Sequence, residues 1–136
     1  MGVGTFLLAA LLVGLGGGLG SVARWGLGEL GVRLMAAREA ETPERFRPWT
    51  TFVANVIACF LLGLVVARFG AATGARELVN LMLAVGFCGG LSTLSTAAFD
   101  IVELVRRTTF SLSLAYLLLS AGGGMASLWL GLVIAS

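Results

Sequence analysis

The sequence predicts an all-α integral membrane protein with four transmembrane helices, the third of them broken in mid-membrane. Three observations carry that reading. Of the 136 residues, 58% are hydrophobic and only 12% charged, against roughly 25% charged in a globular domain, and the mean hydropathy is +1.00. Four runs hold no charge at all: Met1–Ala23, Pro48–Ala67, Leu78–Phe99 and Thr108–Ser136, of 23, 20, 22 and 29 residues. Each reaches the ~20 residues that cross a hydrocarbon core. The third run contains Gly86-Phe87-Cys88-Gly89-Gly90-Leu91-Ser92-Thr93-Leu94-Ser95-Thr96, which suits no plain lipid-facing helix. Each glycine costs about 1 kcal/mol against alanine in a helix interior. Freed backbone groups survive at bilayer depth only where protein or a polar cavity meets them.

Met1–Ala23 lacks a basic leader, and Gly14 to Ser21 is too glycine-rich for a signal core, so it reads as a retained span. Gly14/Gly18, Gly16/Gly20 and Gly17/Ser21 are small residues four apart, a spacing that lets helix backbones approach closely in lipid. The charged segment Glu29–Arg47 follows, holding Glu29, Arg33, Arg38, Glu39, Glu41, Glu44, Arg45 and Arg47. Its start can continue the first helix, while Thr42-Pro43 and Pro48 mark a turn or helix entry. The second span carries a lone Asn55. The fourth is expected from about Ser111 to Val133 and has its own small cluster at Gly122, Gly123, Gly124, Ala126 and Ser127. One domain, 1–136, accounts for the chain. With 20 glycines in 136 residues, about twice the usual ~7%, and four short helices unable to enclose a pore alone, an oligomer is expected.

Charge sets the orientation. The loops after spans one and three hold Arg33, Arg38, Arg45, Arg47, Arg106 and Arg107, against Arg68 and Arg76 after span two. Six against two places both termini outside and the Arg-rich loops in the cytoplasm. The net charge of +2 is too small and dispersed for a nucleic-acid partner. All nine basic residues are arginine and histidine is absent, which excludes a histidine metal site and histidine acid–base chemistry. Cys59 and Cys88 sit in apolar runs and read as packing residues.

An ionisable residue inside a membrane span is a functional candidate by default, and here there are few. Glu103 and Arg107 read as an i, i+4 pair at a helix end, with Asp100 beside them. Arg24, next to the interface residue Trp25, is either a snorkelling anchor or a fixed positive charge at a vestibule. The remaining candidates are neutral hydrogen-bonding groups: Asn55; Ser95 and Thr96 after the break; and Tyr116, Ser120 and Gly124 along one face of span four. Such a ladder replaces the hydration of a small anion without trapping it. Carbonyls released at Gly89 and Ser92 suit a hard cation such as Na+.

Gly17-Gly18-Leu19-Gly20-Ser21-Val22-Ala23-Arg24-Trp25, Thr51-Phe52-Val53-Ala54-Asn55 and the Gly86–Thr96 motif closely resemble the CrcB/Fluc family of fluoride channels, over nearly the whole chain. The resemblance implies an antiparallel dimer of four-span subunits in the bacterial plasma membrane, with two fluoride pores. It also implies a structural Na+ at the dimer centre held by backbone carbonyls, here Gly89 and Ser92, the latter usually threonine. The pore asparagine falls on Asn55, the vestibule arginine on Arg24 and the polar track of the fourth helix on Tyr116 and Ser120.

The chain departs from the family pattern in places. The third motif normally ends Thr-Phe-Ser-Thr-Phe, both rings turning electropositive edges to fluoride; this chain has Thr93-Leu94-Ser95-Thr96-Ala97. Phe99 lies ~200° away from Ala97 around a helix. Thr50 and Ala58 stand where glycine is usual. A subunit of fixed orientation that lacks both rings fits one half of a heterodimer, in preference to a homodimer with an altered site. The expected function is passive fluoride export, not catalysis. Two rivals are weighed: a small drug/proton antiporter, disfavoured because span one has no carboxylate, and a non-conducting partner that only stabilises a second subunit.

Overall fold

The computed structural model describes residues 2–37 and 47–136. The expected turn at Thr42-Pro43, and the charges Arg38, Glu39, Glu41, Glu44 and Arg45, lie outside the described residues. Four helices are long and apolar enough to cross a membrane. The first is α1 (Val3–Ala36) and the second α2 (Arg47–Phe69). The third span, Ala75–Arg107, is assembled from α3 (Ala75–Asn80), a π-helical segment (Leu81–Cys88), α4 (Gly89–Leu91) and α5 (Leu94–Arg107). The fourth is α6 (Phe110–Ala135).

All four expected spans are present, and the first three outrun their charge-free runs. The extreme case is α1, whose 34 residues extend to roughly 50 Å at 1.5 Å per residue, well beyond a ~30 Å hydrocarbon core. Charges end a span, not a helix. Arg33 donates to Glu29 at 3.0 Å, one turn apart and exposed, so the charged end of α1 supports its own continuation.

Packing follows the small residues. α1 lies against the π-helical segment and α4, while α2 lies against α6, with α5 joining them. A Cβ built on Gly16 or Gly20 would overlap the carbonyl of Met82 or Phe87, and one on Gly90 would overlap the Gly17 carbonyl. The same holds between Gly63 of α2 and Gly131 of α6. In lipid no hydrophobic force pulls helices together, so contact at this range supplies the attraction by dispersion and close backbone approach. The Gly16/Gly20 pair is therefore spent inside the subunit. A Cβ on Gly14, Gly18 or Gly122 would meet nothing within 4 Å. Gly14 and Gly18 thus leave a small, unpacked stripe on α1, and Gly122 an open position on α6.

The third span is interrupted, as its composition predicts, but not at the glycines. Gly89 is helical (φ −65°, ψ −38°). The chain extends only at Ser92 (φ −76°, ψ 155°) and Thr93 (φ −150°, ψ 118°). Gly90 contributes its missing Cβ, not its flexibility. The π-helical turns were not legible: a change of hydrogen-bond period leaves no mark on a uniformly apolar run. Such turns are concentrated at functional sites.

Candidate functional site

The interruption is held by side chains from two other helices. Asn55 of α2 takes both backbone groups of Thr93: its Nδ2 donates to the Thr93 carbonyl at 3.2 Å, and the Thr93 N–H donates to its Oδ1 at 2.8 Å. Arg24 of α1 donates from Nη1 to the Ser92 carbonyl at 3.1 Å. The extended residues thus find partners that a helix would otherwise have supplied. Thr93 then starts α5 as its N-cap, its Oγ1 accepting from the Thr96 N–H at 3.2 Å. The same hydroxyl donates to Thr96 Oγ1 at 3.0 Å and lies 3.3 Å from Ser95 Oγ. The Thr-Leu-Ser-Thr run is thus a capped helix start whose hydroxyls bond one another.

Above the break lies a cavity of about 460 Å³ between α1, α2 and α5, lined by Arg24, Trp25, Glu29, Arg47, Thr50, Thr51, Thr93 and Thr96 among others. Arg24 is half-buried there and is bonded to protein, so it is more than a snorkelling anchor. Two guanidiniums and four threonines face this space. Thr96 and Arg24, both expected at the site, are brought together with Asn55 and Ser92. Ser95 is exposed on the outer side of α5 and Gly89 is exposed at the turn before the break.

Tyr116 and Ser120 lie elsewhere, on the buried stripe of α6. The Tyr116 hydroxyl donates to the Pro48 carbonyl at 2.9 Å. Ser120 Oγ is buried and has no hydrogen-bond partner among the described residues. The same buried layer holds three residues that sequence reasoning passed over as site candidates. Thr51 and Ser113 are 7% and 2% exposed, and Asp100 is 2% exposed with Oδ2 unpartnered among the described residues. Asp100 stands on α5, which packs against α6 and α2. A signal for it existed: it lies seven residues, two helical turns, after Thr93 and four after Thr96, on the same face. Its neighbour pair behaves as expected, with Arg107 donating to Glu103 one turn away at the exposed helix end.

At the two positions where the resemblance leads one to expect phenylalanine, Leu94 is 86% exposed, whereas Ala97 is buried at 9%. Phe99 turns outward, and the Arg47 guanidinium lies 5.6 Å from its ring centroid. Cys59 and Cys88 are free thiols, half-buried and buried.

Comparison with known proteins places the chain in a family. A family profile described as CrcB-like protein, Camphor Resistance (CrcB), matches residues 11–132. A relative from Novosphingobium aromaticivorans named "Fluoride-specific ion channel FluC" is 36% identical over 128 residues, covering 94% of this chain and 96% of the relative. "Fluoride-specific ion channel FluC 2" of Rhodococcus jostii is 34% identical over 129 residues, 95% of this chain and all of the relative. "Fluoride-specific ion channel FluC 1" of Yersinia pseudotuberculosis is 29% identical over 124 residues, 91% of each chain. With four spans, an interrupted third helix and a profile match over most of its length, the chain belongs to the CrcB-like family.

Proposed function

We propose that this chain is a subunit of a fluoride-specific channel in the bacterial plasma membrane, passing F− passively outward and catalysing no reaction. The observation that carries this reading is the interruption at Ser92–Thr93, clamped by Asn55 and Arg24 at the floor of a guanidinium-lined cavity. A fixed charge with hydroxyls and amides around it concentrates an anion and then exchanges its hydration for neutral donors. Arg24 draws the anion in. Asn55 keeps a second Nδ2 proton beyond the one given to Thr93. Ser120 brings a buried hydroxyl without a partner among the described residues. Ser95, Thr96 and Tyr116 contribute after exchanging their present bonds.

The resemblance also implies a structural Na+ between two subunits, and the residues fit it in part. Thr93 N–H, which would have closed the helical turn onto Gly89, donates to Asn55 instead. That turn therefore leaves a carbonyl on an exposed edge, the hard oxygen donor such an ion takes. The Ser92 carbonyl already accepts from Arg24, so ion and guanidinium would share one oxygen. When bound, the cation would add a fixed positive charge and tie two interruptions together; Gly89 and Ser92 are the residues to hold it.

A heterodimer is favoured over a homodimer. The six-to-two arginine bias commits this chain to one orientation, and an antiparallel partner then needs the opposite bias. Labels such as FluC 1 and FluC 2 among the relatives support the existence of distinct family members. A second reading is that this chain only stabilises its partner, and Leu94 and Ala97 favour it by offering no ring edge to an anion. Liposomes loaded with fluoride decide between them. With a second family member encoded alongside, the chain is expected to pass F− far faster than Cl−, and Asn55→Ala should cut that flux. Flux unchanged by Asn55→Ala supports the scaffold reading; no flux alone or with the partner ends the channel reading.

A further inference from the structure

We infer that the cavity between α1, α2 and α5 is a binding site for a phosphate oxyanion, held by the guanidiniums of Arg24 and Arg47 and the hydroxyl of Thr96. Neither the cavity nor its wall depends on the channel reading.

At about 460 Å³, the cavity falls in the ~300–1,000 Å³ range of small-molecule sites, far more room than one halide ion fills. Its wall is charged unequally. Arg24 and Arg47 both line it, and among the described residues Glu29 is its one carboxylate. Glu29 is already bonded to Arg33 at 3.0 Å, and Arg33 is not part of the wall. Among the described residues neither Arg24 nor Arg47 has an ion-pair partner. Arg47 also begins α2, whose first turn holds no acidic residue, so the positive end of the helix dipole adds to the imbalance. An anion with several charged oxygens offsets it.

The donors suit phosphate. A guanidinium presents a planar fork that meets two oxygens at once. Arg24 spends one N–H, from Nη1, on the Ser92 carbonyl, which fixes the side chain and leaves its Nε–Nη2 edge for a ligand. The Arg47 guanidinium lies 5.6 Å from the Phe99 ring centroid, a contact that orders it without a carboxylate. Thr96 Oγ1 accepts from Thr93 Oγ1 at 3.0 Å and keeps its own proton to donate. A tetrahedral phosphate turns separate oxygens to two forks and a hydroxyl, whereas a carboxylate offers one edge and a halide none.

Two sources share this chemistry. Arg24 follows the charge-free run Met1–Ala23, and Arg47 precedes the run that starts at Pro48, so both stand where hydrocarbon ends. Their neighbours Trp25 and Trp49 are 70% and 52% exposed, as interface residues are. Basic pockets between spans at this level take lipid head groups, and a free phosphate reaches them from water. Because α1 packs on the third span while α2 packs on α6, a phosphate bridging Arg24 and Arg47 ties the two packed pairs together.

Thermal unfolding of the purified full chain in neutral detergent, at constant ionic strength, tests this. Inorganic phosphate, and separately short-chain phosphatidic acid, should raise Tm saturably. Chloride, and phosphatidylcholine of the same chain length, should not. Arg47→Gln should weaken the apparent affinity about tenfold, the loss expected for a charge-assisted contact. Arg47→Lys keeps the charge without the fork and should weaken it less, while Arg106→Gln, outside the wall, should leave it unchanged. A saturable, Arg47-dependent shift with either probe supports the site: with the lipid alone the ligand is a head group, with inorganic phosphate alone a soluble phosphate. If neither probe shifts Tm saturably, or the affinity is the same in Arg47→Gln, there is no such site. If Arg47→Gln does not fold, Arg47→Lys decides: weakened affinity supports the site, and affinity equal to that of the unsubstituted chain overturns it.

Discussion

Asn55 and Thr93, 38 residues apart, close a ring of two hydrogen bonds in which a side-chain amide pairs with both backbone groups of one residue. The amide does what a neighbouring strand would do for an extended residue. A lone asparagine in an apolar span thereby becomes the reason the third span can leave helical geometry inside a membrane.

That ring makes the first prediction. Asn55→Ala leaves the Thr93 N–H and carbonyl unpaired, at about 1–3 kcal/mol for each buried group left unsatisfied. A clear fall in the melting temperature of the purified protein is expected, with loss of fluoride flux. Asn55→Asp retains the acceptor for the N–H but not the donor, and should fall between the two in melting.

Glycines that look alike in sequence should respond differently. Gly20→Ala drives a methyl into the Phe87 carbonyl, and overpacking of this kind costs about 1–3 kcal/mol. Gly18→Ala meets open space within the subunit and should leave subunit melting unchanged. Cross-linking then reports whether the Gly14/Gly18 face is covered by a second subunit, because a methyl there would loosen the oligomer alone.

Restoring the missing rings is asymmetric. Leu94 is 86% exposed, so Leu94→Phe fits without rearrangement, whereas Ala97 is buried at 9% and Ala97→Phe must displace neighbours, at roughly 1–3 kcal/mol. Under the heterodimer reading, Leu94→Phe should raise flux of the chain reconstituted alone only when Ala97→Phe is also present and folded. Flux assays beside melting curves of the three variants check this.

Orientation is a prediction of charge alone. Both termini are expected outside, and a membrane-impermeant thiol reagent should label a cysteine placed at Ser136 from outside intact cells. Exchanging Arg106 and Arg107 for glutamine while adding arginines near Thr73 should invert or mix the labelling.

The interruption shows where sequence reasoning stops. Its existence was readable from the clustered glycines and hydroxyls, and its partners Asn55 and Arg24 were readable as polar groups with no business in lipid. Its position was not. Gly89-Gly90 looked like the weak point, yet those residues are helical, and Gly90 serves to let Gly17 approach. The chain extends where distant side chains are on hand to receive its backbone groups, and no local propensity encodes that. Asp100 was missed for the same reason: next to Arg106 and Arg107 in sequence it resembles one more solvated end charge, but the packing of α5 against α2 and α6 closes over it.

The sequence by itself determined four spans and an interrupted third helix, because transfer into hydrocarbon acts on each segment independently of its neighbours. Only the tertiary structure decided which glycines are spent between helices, which carbonyls Arg24 and Asn55 satisfy, and which carboxyl is buried. Those outcomes depend on pairs of groups far apart in the chain, and a pair has no energy until packing brings its members within reach.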